Sequence, residues 1–84
     1  MTKSPPGAAV APDIEIAALI AAELVRKNKS LLALSEESGI AHPTLRRSMK
    51  GGRSLTINEI GRISAALSVH PSALLPATLT GEAA

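Results

Sequence analysis

The stretch GIAHPTLRRSMKGGRS, Gly39 to Ser54, carries Arg46, Arg47, Lys50 and Arg53 and no acid. Acids are absent from Ser38 through Asn58; they stand at Asp13, Glu15, Glu23, Glu36, Glu37, Glu59 and Glu82. Arg26, Lys27 and Lys29 form a second cationic cluster. The net charge of +2 over 84 residues is modest, so the distribution is more informative than the total. Cations gathered in one stretch suit a polyanion, and each guanidinium offers a rigid fork of donors to paired acceptors. The plainer alternative is a solvated face, and the spacing of the residues has to decide between them.

Other chemistries find little support. There is no Cys, hence no disulfide and no thiolate ligand. His42 and His70 are too few and too far apart for a metal-ligand pattern. No Ser-His-Asp set and no Gly-rich phosphate loop after a strand can be assembled. We therefore expect neither enzyme activity nor a metal or cofactor. Phe, Tyr and Trp are all missing, which removes the aromatic platforms used to stack single-stranded bases. The longest apolar run, Ile16 to Ala22, stops at Glu23, well short of the about 20 residues of a membrane span. Pro5, Pro6, Pro12 and Asp13 interrupt any signal-peptide pattern. A cytoplasmic protein without membrane contact is expected.

The elements that must position the cations follow from periodicity and caps. Residues 1–12 read as a flexible arm, 13–76 as one domain and 77–84 as a short tail. A first helix is expected from near Asp13 to about Asn28, with Ile16, Ile20 and Leu24 on one face beside Ala17 and Ala21. Ser30 caps a second helix over Leu31 to Ser38, and Gly39 stands where a left-handed residue ends it. A third begins at Ala41 or His42 with Pro43 in its first turn and ends at Gly51-Gly52. Thr56 and Glu59 form a capping box for a fourth, whose core stripe is Ile60, Ile63 and Leu67. Pro71 opens a short fifth helix through Leu75, and Pro76 stops it. No segment alternates with period two, so the fold is expected to be all-α, five short helices without a sheet.

On a wheel of the third helix, Leu45 and Met49 fall together, while His42, Arg46 and Lys50 occupy a neighbouring arc that Pro43 and Arg47 extend. The helix is anchored by a narrow stripe and presents a broad cationic face. A short helix, a Gly-containing turn and a second helix make a helix-turn-helix, whose second helix enters the DNA major groove. His42, Pro43, Arg46 and Arg47 are then the base-contacting candidates, since Arg bonds guanine O6 and N7. Ser30, Leu31, Thr44, Lys50, Gly52, Arg53 and Ser54 are the phosphate-side candidates, Leu31 through its backbone amide.

From Ile14 to Leu75 the chain resembles the lambdoid phage repressor and Cro type of helix-turn-helix domain, the XRE family. The resemblance rests on Leu34, Gly39, Ile40, Leu45, Gly51 and the segment ALSVHPSALL, Ala66 to Leu75. It implies a lambda-repressor-like bundle and a sequence-specific regulator of transcription, nucleoid-associated, that binds double-stranded DNA as a homodimer. Leu74, Leu75 and Leu79 are the candidate dimer contacts, their alternative role being to pack back on the first helix; no small-molecule ligand domain is expected. Leu31 stands where the family carries a phosphate-contacting Gln, Ser35 where it often has Ala, and Ser48 where it is usually apolar. If buried, Ser48 should bond a carbonyl one turn back. Leu24 and Met49 replace a buried Arg–Glu pair and should touch each other. The alternative is a protein-interaction module of the same fold, antitoxin-like or partner-binding, with weak or no DNA binding.

Overall fold

The structure, a computed structural model, describes residues 11–76. Four α-helices follow one another: α1 Ala11–Arg26, α2 Leu31–Ser38, α3 His42–Met49 and α4 Ile57–Leu67. A single 3-10 turn, Pro71–Leu74, closes the fold. No strand occurs among the described residues. The expected fifth helix is thus corrected to this turn, and the cause is local. Leu75 precedes Pro76, and the proline ring pushes the residue before it into extended backbone; Leu75 has φ −114 and ψ 136. His70 caps the turn, its Nδ1 accepting from the Ser72 amide at 3.2 Å.

Helix α1 begins two residues before the expected start. Pro12 does not delay it, because the first turn has no use for the missing N–H, and Asp13 lies in that turn rather than capping it. The helix also stops early, at Arg26. Asn28 takes the left-handed conformation at φ 54. The Asn28 amide donates to Val25 O at 3.1 Å and the Lys29 amide to Leu24 O at 2.9 Å, a Schellman closure. Gly51 (φ 84) closes α3 in the same way, with Gly52 N donating to Arg47 O at 2.8 Å.

The core is aliphatic throughout. Ile20, Leu34, Leu45, Ile63, Leu67 and Leu74 are fully buried, with Ile16, Leu24, Ile40 and Ile60 around them. Every helix contributes at least one of these residues, and Leu31, Met49, Leu55 and Leu75 pack on the edge. Leu24 and Met49 both join this core, Leu24 within it and Met49 at its margin. Ala21, expected beside the buried face of α1, is exposed. Glu23 is buried instead: its Oε2 lies 3.5 Å from Arg26 Nη2, and Oε1 has no hydrogen-bond partner.

Helix α4 ends on Ser68, a non-glycine residue at φ 59, where Val69 N donates to Ser64 O at 3.0 Å. A side chain in left-handed backbone costs about 1 kcal/mol relative to glycine. Ser68→Gly should therefore raise stability by about 1 kcal/mol, measured as a higher midpoint in urea with an unchanged slope.

Candidate nucleic-acid interface

Helices α2 and α3 are joined by Gly39, Ile40 and Ala41, and the polar groups around this turn are tightly paired. Gly39 sits at φ 77, and its amide donates to Ser35 O at 2.9 Å. Ser35 Oγ donates to the Ile40 carbonyl at 2.6 Å. Ser38 Oγ accepts from the Ile40 amide at 3.3 Å. Arg62 reaches across from α4, its Nε donating to Ser38 O and its Nη2 to Gly39 O, both at 3.0 Å. The turn is held by groups on both helices that flank it in space, and Ile40 is buried beneath it.

Helix α3 itself has little to hold it. It is eight residues long and buries only Leu45 and Ser48, with Met49 half-buried. Ala41 provides no side-chain cap, but Pro43 stands in the first turn. Ser48 finds its partner ahead in the chain: Arg53 Nη1 donates to its Oγ at 2.8 Å. The same guanidinium contacts the Glu59 carboxylate at 3.2 Å. Glu59 in turn accepts from the Thr56 amide at 2.9 Å, and Thr56 Oγ1 accepts from the Glu59 amide at 3.0 Å, completing the capping box. Ser54 Oγ donates to Asp13 Oδ2 at 2.7 Å, tying the same loop to α1.

Three of the phosphate-side candidates already have partners within the fold. Arg53 is half-buried and engaged by Ser48 and Glu59, Ser54 is engaged by Asp13, and the Gly52 amide is used to close α3. The remaining candidates lie as follows. Arg46, Arg47, Lys50 and Pro43 are exposed, and His42 and Thr44 are half-exposed. Ser30 caps α2 by accepting from the Ala33 amide at 3.0 Å. Leu31 turns its side chain to the core edge. Leu74, a dimer candidate, is fully buried within the fold and offers no surface; Leu75 is half-exposed, and Leu79 lies outside the described residues.

The cations divide sharply by partner. Arg26 pairs with Glu23, Lys29 with Glu37 at 2.6 Å and Arg53 with Glu59. Arg62 is spent on carbonyls. Arg46, Arg47 and Lys50, all on or ending α3, have no acidic partner among the described residues, nor has Lys27. Arg62 and Ser35 are the residues that sequence reasoning missed as supports of the turn. Ser35 was visible as a departure from Ala; nothing in the local pattern marked Arg62. No group of His, Cys, Asp and Glu suited to a metal occurs among the described residues, and none of their helices is long and apolar enough to cross a membrane.

An all-helical bundle with a two-helix, glycine-turned unit presenting a cationic second helix defines the helix-turn-helix class of fold. The structure is similar to the crystal structure of the restriction-modification controller protein C.AhdI from Aeromonas hydrophila. The TM-score is 0.71 at 19% identity, over 75% of this chain and 96% of that one. No protein-family model matches the sequence, and no curated protein matches it.

Two outcomes follow from the turn and the loop. A Cβ on Gly39 would lie 2.7 Å from Arg62 Nη2, so Gly39→Ala should cost at least about 1–2 kcal/mol for the left-handed backbone alone, seen in chemical denaturation. Burial by itself would raise the Glu59 pKa, but the Thr56 amide and the Arg53 guanidinium outweigh it and hold the carboxyl below its usual 4.5. A depressed carboxylate pKa stabilises the fold above its unfolded value and loses that contribution as pH falls through the folded one. Acid unfolding of Glu59→Gln, followed by circular dichroism, should accordingly be less steep below pH 4.5 than that of the wild type.

Proposed function

We propose that the protein is a sequence-specific double-stranded DNA-binding regulator of transcription, of the repressor or Cro type, reading the major groove with α3. The observation that carries this is the partition of charge. The other described cations are mostly paired with acids or bonded to carbonyls, whereas Arg46, Arg47 and Lys50 stand exposed on and at the end of one short helix, without an acidic partner among the described residues. Three cations held together without an acidic partner among the described residues repel one another, and a polyanion relieves that repulsion. The likeness in fold to a protein described as a controller supports the same reading.

In this arrangement His42, Pro43, Arg46 and Arg47 face base edges. Lys50, Thr44 and the amide end of α2 at Ser30 and Leu31 face phosphates. Gly52, Arg53 and Ser54 belong to the same phosphate-side set, and Arg53 and Ser54 also set the loop. A homodimer would place two copies of α3 roughly 34 Å apart, one turn of DNA, on a near-palindrome. Leu75 remains available to such a dimer, and Leu79 extends the same end of the chain.

The test is equilibrium binding to fragments from the gene's own neighbourhood at several salt concentrations. Affinity should fall steeply and log-linearly with salt. Arg46→Ala and Arg47→Ala should each cost roughly 1–3 kcal/mol and relax base preference, while Lys50→Ala should weaken all sequences alike and lower the salt slope by about 1. Unchanged binding in both arginine variants would overturn the role of α3. Absence of binding to any DNA, with a specific protein partner recovered, would establish the interaction module instead.

A further inference from the structure

Helix α2 ends without a cation of its own. Its last residues are Glu36, Glu37 and Ser38, and no basic residue stands in that turn. The C-terminus of a helix carries unsatisfied carbonyls and a partial negative charge, so acids beside it are unfavourable. Arg62, on the second turn of α4, supplies the missing cation from 24 residues away. Its Nε donates to Ser38 O and its Nη2 to Gly39 O, both at 3.0 Å. Two carbonyls of successive residues are thus held by two corners of one planar group, a fit that a single ammonium cannot reproduce. The approach is close, since a Cβ on Gly39 would lie 2.7 Å from Nη2. The backbones of α3 and α4 meet at few points, and α3 rests mainly on α2 and α1.

Both carbonyls belong to the link between α2 and α3, so Arg62 bears on the direction that α3 takes. A tilt of about 10° at the turn would carry Arg46, about 6 Å along the helix axis, sideways by about 1 Å. That shift exceeds the spread of about 0.5 Å over which good hydrogen-bond lengths fall. A two-bond contact to a guanine edge fails under such a shift. Attraction to phosphate, screened over about 8–10 Å, hardly changes. We propose that Arg62 is a positioning residue for base readout: by holding the Ser38 and Gly39 carbonyls it fixes the angle at which α3 presents Arg46 and Arg47. This role rests on the reading of α3 as the helix in the major groove. Arg62 then governs which sequence is bound, without touching DNA and without a share in the general attraction to it. The geometry of the fork carries the effect, and the positive charge does not.

Arg62→Lys and Arg62→Gln are compared with the wild type, as full chains, on two duplexes of equal length. One is the preferred fragment from the gene's own neighbourhood, the other an unrelated sequence. Binding is measured at a temperature where circular dichroism shows all three proteins folded. Both variants should lose preference for the first duplex by about fivefold or more, the worth of one two-bond base contact. Affinity for the unrelated duplex should hold, and so should the slope of log affinity against log salt. Lysine keeps the charge and loses the fork, so it should behave as glutamine does. Full preference in Arg62→Lys would overturn the proposal. A salt slope lowered by about 1 in Arg62→Gln alone would also overturn it, making Arg62 an ordinary phosphate contact. A wild type that binds both duplexes equally would overturn the major-groove reading itself, and this role with it.

Discussion

A three-residue turn whose Gly39 and Ile40 amides and carbonyls are all hydrogen-bonded is the constraint on which the rest of this structure depends. Gly39 must be left-handed to send the chain from α2 into α3, and that conformation exposes carbonyls that α2 can no longer satisfy. Arg62 supplies the donors from α4, while Ser35 and Ser38 bind the Ile40 carbonyl and amide. The angle between α2 and α3 is thereby set by hydrogen bonds to a third helix. Apolar packing alone would leave it softer, because Leu45 is the one fully buried side chain of α3.

The far end of α3 is fixed by a different device. Arg53 joins Ser48 to Glu59, so the C-terminus of one helix and the N-terminus of the next share a guanidinium. The capping box that starts α4 also orients the carboxylate that receives Arg53. With both ends held by arginines that reach across from other parts of the chain, the outward side chains of α3 are relieved of structural duty. Arg46, Arg47 and Lys50 can be placed for charge and reach alone.

What the sequence disclosed and what it hid follow the range of the interactions. Ser30, Gly39, Pro43 and the Thr56–Glu59 box act within a few residues of themselves, and all stand in the structure as the caps and turns their spacing implied. The core stripes of α1, α2 and α4 were legible for the same reason. Arg62 acts over 24 residues and Ser54 over 41, and no local pattern encodes either contact. Arg53 looked like one more surface cation because the partner that claims it, Glu59, had already been read as a cap. Leu74 is buried by neighbours across the bundle rather than along the chain, which the local pattern does not reveal. The missing fifth helix was legible in principle, since the extended preference of the residue before Pro76 is a local rule.

The core contains no aromatic ring, and its buried side chains are mainly Ile and Leu with one small Ala at position 17. Swaps among aliphatic residues of similar volume cost little when neighbours repack. Such an interior lets sequence drift at many positions while the backbone stays in place. What resists drift is the small set of polar fixtures with directional geometry: a left-handed glycine, two arginines and a few hydroxyls. In a protein built this way the path of the chain can stay the same while most of its letters change.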